Sequence, residues 1–264
     1  MKKYLVIGNP INHSLSPKLH NYWFKKNNIK AIYEKKLIET QDLKNIILQI
    51  KEGLIHGINV TVPFKNTVIP YLDQLSPEAE ITKSVNTIYF NGNSVIGHNT
   101  DIAGFELSLK KINYNVQNKK ILILGSGGVV PSIIYALYKM GASLITVSNR
   151  TKQNAENLKK LFKDIVIINW GNVTDFDMII NATSVGLHKD DKINIDLSKN
   201  NNKFFYDIIY NPKETNFLKT GKMLGNMTEN GKMMFIYQAH QAFTLWHKIM
   251  PEINDETLRV LQND

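Results

Sequence analysis

Two residues in the first half of the chain could move a proton: Lys65, in Asn59-Val60-Thr61-Val62-Pro63-Phe64-Lys65, and Asp101, in Gly97-His98-Asn99-Thr100-Asp101. A lysine beside an aspartate in a closed cleft can exchange a proton with a hydroxyl or carbonyl oxygen. Burial lowers the pKa of such a lysine, and the carboxylate raises it. Spacing alone leaves a second reading open, in which the two are unrelated surface groups. Around them lie hydroxyls and amides: Ser14 and Ser16 in Asn9-Pro10-Ile11-Asn12-His13-Ser14-Leu15-Ser16-Pro17, Thr61, Asn86 in Ser84-Val85-Asn86-Thr87, and Gln238. That inventory suits a polyhydroxylated ligand better than an apolar one. Ser16 can also be read as a helix N-cap ahead of Pro17. His13, His20 and His98 have no ligand spacing with carboxylates, so no metal site is expected.

The second half carries a different chemistry. Ile121–Leu124 is an apolar run leading into Gly125-Ser126-Gly127-Gly128, after which Ile133, Ile134, Leu137 and Met140 recur at helical spacing. Gly141 closes that helix, and Leu144–Val147 is a second apolar strand. Glycines at such a turn let backbone N–H groups approach a pyrophosphate at a helix N-terminus. The second strand ends at Ser148-Asn149-Arg150-Thr151, about 20 residues downstream, where a carboxylate usually reads the ribose of NAD. Here Arg150 stands instead, one of only two arginines in the chain. A guanidinium grips a 2′-phosphate that a carboxylate would repel, so NADP is the expected cofactor.

The elements that must position these groups alternate strand and helix throughout. The first half reads as strands at Tyr4–Ile7, Ile32–Lys36 and Gly57–Val60. Helices start at Ser16-Pro17 and Ser76-Pro77, and an amphipathic helix runs through Leu43, Ile46, Ile47 and Ile50. Asn91-Gly92-Asn93 signals a hairpin. A helix from Ile102 to Lys111 leads to the Gly-rich half, which continues through a helix at Ala155–Phe162 and strands near Val166–Ile168, Met178–Ile180 and Phe204–Ile208. Met233 to Leu261 reads as helical, with Phe235, Ala239, Phe243 and Trp246 facing a core. The expected fold is therefore α/β with two α/β domains. Residues 1–101 form a substrate-binding and catalytic domain on a mixed, mostly parallel sheet. Residues 102–232 form a Rossmann-type nucleotide-binding domain, and the C-terminal helices of 233–264 pack back on the first domain.

Composition sets outer limits. The 264 residues carry a formal net charge of +9, no cysteine, and 43% hydrophobic and 21% charged residues. The lysines are scattered without interleaved aromatics, so they read as solvated surface and no nucleic-acid partner is expected. No apolar run nears the roughly 18–20 residues that span a bilayer, so no membrane partner is expected either. The short apolar stretch after Met1-Lys2-Lys3 reads as a strand rather than a leader. Absence of cysteine excludes thiol catalysis and agrees with a cytoplasmic location.

The ordered motifs together resemble the shikimate dehydrogenase family, which includes shikimate/quinate dehydrogenases. They are Gly8 to Asn21, Gly57 to Lys65, Asn86-Thr87, Gly97 to Asp101, Gly125 to Gly128 and Asn149-Arg150-Thr151, followed by Asn181-Ala182-Thr183-Ser184-Val185-Gly186, Asp207 to Pro212 and Met234 to Gln238. The resemblance covers essentially the whole chain. It implies NADPH-dependent, reversible reduction of 3-dehydroshikimate to shikimate in chorismate and aromatic amino-acid biosynthesis. It further implies that Lys65 and Asp101 are catalytic, and that Ser14, Ser16, Thr61, Asn86, Tyr210 and Gln238 bind substrate. Gly125, Ser126, Gly127, Gly128, Asn149, Arg150, Thr151, Thr183 and Gly231 would bind NADP. The implied partner is a small-molecule substrate, and a homodimer is an admissible assembly. The chain departs from the family pattern at Ser126, Val129 and Pro131, and around Gly231. Two other functions are compatible with the same motifs: a quinate/shikimate dehydrogenase with relaxed cofactor use, and a non-catalytic NADP-binding sensor.

Overall fold

The structure, a computed structural model, describes residues 1–261. The chain divides into two compact units, Met1–Gly104 together with the chain from Ile236 onward, and Phe105–Phe235. It is thus α/β with two α/β domains, and the C-terminal helical segment belongs with the first of them.

The first unit runs β1 (Lys2–Gly8), α1 (Ser16–Lys26), β2 (Ala31–Leu37), α2 (Leu43–Lys51), β3 (Gly57–Val60), α3 (Phe64–Thr67), β4 (Gln74–Leu75), α4 (Pro77–Thr82), β5 (Thr87–Phe90) and β6 (Val95–His98), then enters α5 (Asp101–Lys111). Its sheet has the order β2-β1-β3-β5-β6-β4. Strands β1, β2 and β3 are parallel; β5 is antiparallel to both β3 and β6. Alternation along β1 sends Leu5 and Ile7 to one face, where they pack with Leu43, Ile46, Ile47 and Ile50 of α2. Tyr4 goes to the other face, against Phe24 of α1.

The second unit runs β7 (Lys120–Leu124), α6 (Val130–Lys139), β8 (Leu144–Ser148), α7 (Lys152–Leu161), β9 (Val166–Ile168), β10 (Met178–Asn181), β11 (Phe204–Asp207), α8 (Asn216–Met223) and β12 (Met227–Glu229). The order is β12-β11-β10-β7-β8-β9 with every pairing parallel. This is the doubly wound dinucleotide-binding order, whose switch point falls between β7 and β10. Apart from Lys120 at the start of β7 and the polar ends Asn181 and Asp207, β7, β10 and β11 read as apolar runs because both of their faces are covered.

The chain then enters α9 (Lys232–His247), followed by α10 (Asp255–Val260). The region expected to be helical from Met233 to Leu261 is therefore two helices. Between them, Lys248 adopts φ 57°, and Asn254 starts α10 with a capping box to Thr257. Ala239 and Phe243 of α9 are fully buried. Trp246 lies against Gly57, leaving no room for a Cβ there, and donates its indole N–H to the Ile88 carbonyl at 3.2 Å.

Candidate active site

Register places the chemistry at one end of the first sheet. Asn59 of β3 pairs with Thr87 of β5, and Thr87 pairs with His98 of β6. The carboxyl ends of β3 and β6 and the start of β5 therefore meet. The segment after β1 joins them: Asn9 donates its N–H to the Val62 carbonyl at 3.0 Å, and a Cβ on Gly8 would sit 2.5 Å from the Thr61 methyl. The turns after β1 and β3 each contain a cis X-Pro bond, Asn9–Pro10 and Val62–Pro63.

Lys65 reaches the site because Phe64, its neighbour in the one-turn helix α3, is buried in the core. The Lys65 carbonyl accepts from the Val85 N–H at 2.8 Å, latching α3 to the Ser84–Asn86 segment. Asp101 begins α5, where Asn99 Oδ1 accepts from the Asp101 N–H at 3.1 Å. A helix N-terminus favours a carboxylate there. Lys65 Nζ and Asp101 Oδ2 stand 2.6 Å apart, with side chains only 12% and 7% exposed. They are therefore a shielded, charge-assisted pair and not unrelated surface groups.

Asn86 fixes the other carboxylate oxygen. Its amide donates to Asp101 Oδ1 at 2.9 Å, to Thr100 Oγ1 at 3.0 Å and, at 3.4 Å, to Gln238 Oε1 of α9. Its carbonyl oxygen accepts from the Thr100 N–H at 2.7 Å, which fixes the amide orientation. Lys65, Asp101, Asn86 and Gln238 thus form one connected cluster. Ser14 and Ser16 form a second, smaller one: Ser14 Oγ donates to Ser16 Oγ at 3.2 Å and accepts from the Ser16 N–H at 3.3 Å. The capping role considered for Ser16 does not hold. Leu15 occupies the N-cap with no side-chain bond, and Ser16 is the first helical residue. Its hydroxyl is left facing Ser14.

Two supporting residues, Asn59 and Thr100, lie inside the motifs, but the motif reading gives them no role. Asn59, buried in β3, accepts from the Tyr33 hydroxyl at 2.6 Å and donates to the Asn86 carbonyl and Thr87 Oγ1, both at 3.0 Å. Thr100 fixes the Asn86 amide. The available signal was a polar Asn inside the apolar strand Gly-Ile-Asn-Val, which must find partners when buried. His20 is also fully buried, stacked on Tyr33 at 4.3 Å and 3°. Neither of its ring nitrogens has a hydrogen-bond partner among the described residues. Burial, reinforced by His247, pushes its pKa down to about 3. The described residues contain no group of three or more metal-ligating side chains. None of their helices is long and apolar enough to cross a membrane.

In the second unit, the residues fit a dinucleotide. Gly125 follows β7 at φ 108°, and a Cβ there would stand 2.7 Å from the Ala182 carbonyl oxygen, so only glycine lets the turn lie against the end of β10. Gly127 and Gly128 are exposed just before α6, and Ser126 is half-buried. Pro131 sits in the first turn of α6, where its missing N–H costs nothing. Asn149 donates to the Thr151 carbonyl at 2.8 Å, shaping the turn after β8. The exposed Arg150 makes no ion pair with described residues, leaving its guanidinium open to an anion.

On the other side of the switch point, Thr183 donates its N–H and hydroxyl to Asn181 Oδ1 at 3.1 and 2.7 Å. Tyr210 stacks on Phe235 at 4.5 Å. Gly231 packs so closely on the Ile208 carbonyl that a Cβ would be 2.0 Å from its oxygen. Beneath these lies Asp207, fully buried, whose carboxyl is pushed up to about 6 by burial against the opposing pull of Thr215, Ile209 and Asn181. Motif reading had no role for it.

An all-parallel dinucleotide-type sheet in one unit and a shielded Lys–Asp pair in the other define the class as two-domain α/β dehydrogenases that use a nicotinamide nucleotide. Comparison with known proteins narrows it. A family model described as shikimate dehydrogenase substrate binding domain matches residues 6–88, and one described as shikimate / quinate 5-dehydrogenase matches residues 106–216. A shikimate dehydrogenase (NADP(+)) from Pelagibacter ubique is 60% identical over 98% of both chains. The crystal structure of shikimate dehydrogenase from Aquifex aeolicus superposes with a TM-score of 0.92 at 35% identity, covering 100% of this chain and 98% of that one. That of the Thermus thermophilus enzyme in complex with NADP(H) and shikimate has a TM-score of 0.90 at 28% identity and covers 99% of each. The chain belongs to the shikimate dehydrogenase family.

Proposed function

We propose that the protein catalyses the reversible, NADPH-dependent reduction of 3-dehydroshikimate to shikimate, a step toward chorismate and the aromatic amino acids. The observation that carries this reading is the Lys65–Asp101 pair at 2.6 Å, braced by Asn86, in a chain of this family. In the proposed division of labour, residues 1–101 and 233–264 hold the substrate and 102–232 hold NADP. Bound NADPH supplies the hydride to the ring carbon. The rest is work for the chain. Lys65 as the ammonium gives a proton to the oxygen that becomes the hydroxyl, and takes it back in the reverse direction. Asp101 keeps Lys65 oriented. Ser14 and Ser16 bind the substrate carboxylate; Thr61, Asn86, Gln238 and Tyr210 hold its hydroxyls and ring in place. The Gly125–Gly128 turn, with Thr183 and Gly231, binds the pyrophosphate and nicotinamide side, while Asn149, Arg150 and Thr151 bind the phosphorylated ribose. A chain without cysteine is in keeping with the cytoplasm as its compartment.

The test is a steady-state assay with shikimate plus NADP or NAD, following nicotinamide absorbance, repeated with quinate. Turnover of shikimate with NADP preferred by at least about tenfold is expected, because one charge-assisted contact is worth roughly 1.5–3 kcal/mol. Arg150→Ala should weaken NADP and barely change NAD. Equal losses for both cofactors would remove Arg150 from the 2′-phosphate. Binding of NADP with no turnover of any substrate would make the protein a sensor.

A further inference from the structure

We propose that Asp207, at the end of β11, is the positioning residue for the nicotinamide half of the cofactor. It acts by tying the loop after β10, the loop after β11 and the start of α8 to one buried carboxylate. The inference rests on the NADP reading above.

The sheet order says which half of the ligand these loops serve. A dinucleotide lies across the switch point, with its pyrophosphate at the Gly-rich turn and its adenosine side over the end of the second strand, here β8. The remaining half must then lie over the ends of β10 and β11. Every segment that emerges there is fastened, directly or through one residue, to Asp207. Oδ1 accepts from the Ile209 N–H at 3.0 Å and from the Asn181 amide at 3.1 Å; Oδ2 accepts from the Thr215 hydroxyl at 2.6 Å.

Each of those donors organises something further. Asn181 turns its carbonyl oxygen to Thr183, and Thr183 Oγ1 accepts from the Val185 N–H at 3.1 Å, so the loop keeps its course past the Gly-rich turn. The Thr183 methyl lies 3.1 Å from where a Cβ on Gly125 would stand. Ile209 leads into Tyr210, and its carbonyl accepts from the Gly231 N–H at 3.1 Å. Thr215 caps α8 by accepting from the Leu218 N–H at 3.3 Å.

Asp207 has no exposed surface, so it touches neither ligand nor solvent and can act only through these neighbours. Three donors converge on it, and an apolar side chain would strand all three. An asparagine keeps most of the set. Its oxygen retains Ile209 and Asn181, and its amide donates to Thr215 Oγ1, so the only donor that loses its acceptor is the Thr215 hydroxyl.

The experiment compares two ligands on the full chain by calorimetry: NADP, and 2′,5′-ADP, which carries the phosphorylated adenosine half alone. Asp207→Ala is expected to weaken NADP at least about tenfold and to leave 2′,5′-ADP within about twofold, because only the former reaches the loops Asp207 holds. Asp207→Asn is expected to bind both within about threefold of wild type, since two of the three donors keep their acceptor and the Thr215 contact is reversed rather than lost. Asn181→Ala cuts only the Thr183 branch and should weaken NADP selectively by a smaller factor; it carries the test if Asp207→Ala does not fold. Unchanged NADP binding, or equal losses of NADP and 2′,5′-ADP, would overturn the positioning role. A wild-type chain that binds neither ligand would overturn the NADP reading, and this inference with it.

Discussion

Lys65 and Asp101 lie 36 positions apart, and the 2.6 Å contact between them exists only because β3, β5 and β6 bring their ends together. If Lys65 carries the proton, Lys65→Met should lower kcat by roughly 10²–10⁴-fold, the scale of a positioned proton-transfer group. The KM for shikimate should change far less, because the serines, Thr61, Asn86 and Gln238 remain. The substitution also leaves the Asp101 carboxylate without its cation, so thermal stability should fall. Turnover is to be measured at a temperature where the variant is fully folded. Near-normal kcat with a raised KM would reduce Lys65 to a binding residue. At this scale the sequence was legible for Lys65, Asp101, Asn86 and Gln238, which the fold joins in one hydrogen-bonded cluster. It was not legible for those that hold them. Asn59 and Thr100 look like ordinary strand and turn residues until their partners are known. Asp207 reads as the polar end of an apolar strand, because its three donors come from positions 181, 209 and 215.

Elements were legible where one periodicity ran long enough. β7, β8 and β10 announce themselves as apolar runs, and α2 by its spacing. β4 and β12, two and three residues long at sheet edges, carry too little pattern to be seen. α8 contains Gly221, which looks like a breaker but is needed because a Cβ there would stand 2.8 Å from the Phe205 ring. The cap of α1 was misread because Pro17 marked the start correctly while Leu15, not Ser16, took the cap position. Close approach also makes a prediction at the junction of β12 and α9. Gly231→Ala would push a methyl to 2.0 Å from a backbone oxygen, which has no rotamer to escape into. The segment must shift, at a cost on the order of 1–3 kcal/mol. A lowered Tm together with a raised KM for NADP is expected. A variant with wild-type Tm and KM would show that the segment yields freely.

Across the whole molecule, the first unit is closed by an aromatic layer on its sheet, in which Trp23 and Phe24 of α1, Tyr33 of β2 and Phe243 and Trp246 of α9 surround His20. A histidine held neutral there links stability to pH. Its folded pKa, about 3, lies below the unfolded value of 6.5. As pH falls below 6.5 the unfolded chain takes up the proton first. His20 therefore subtracts from stability progressively as pH falls from 6.5 toward 3, by an amount on the order of a few kcal/mol at the limit. His20→Phe keeps a ring and strands no partner. Urea unfolding at pH 7, 5 and 4 should show the variant gaining on wild type as pH falls. Parallel losses in the two proteins would mean that His20 is not what makes the fold acid-sensitive.

The same layer has a consequence for how the protein is made. Its α1 and β2 sides lie before residue 40, and its α9 side lies beyond residue 235, with the whole of Phe105–Phe235 encoded between them. At about 5–20 residues per second, a ribosome needs roughly 7–26 s to cross that interval. At the end of that time Trp23, Phe24 and Tyr33 are still without the helix that covers them, while the intervening unit is complete and can fold. Of the two units, the one begun earlier is therefore the last to be finished, and a nascent chain stalled late in translation would carry a folded second unit and an unsheathed aromatic face on the first.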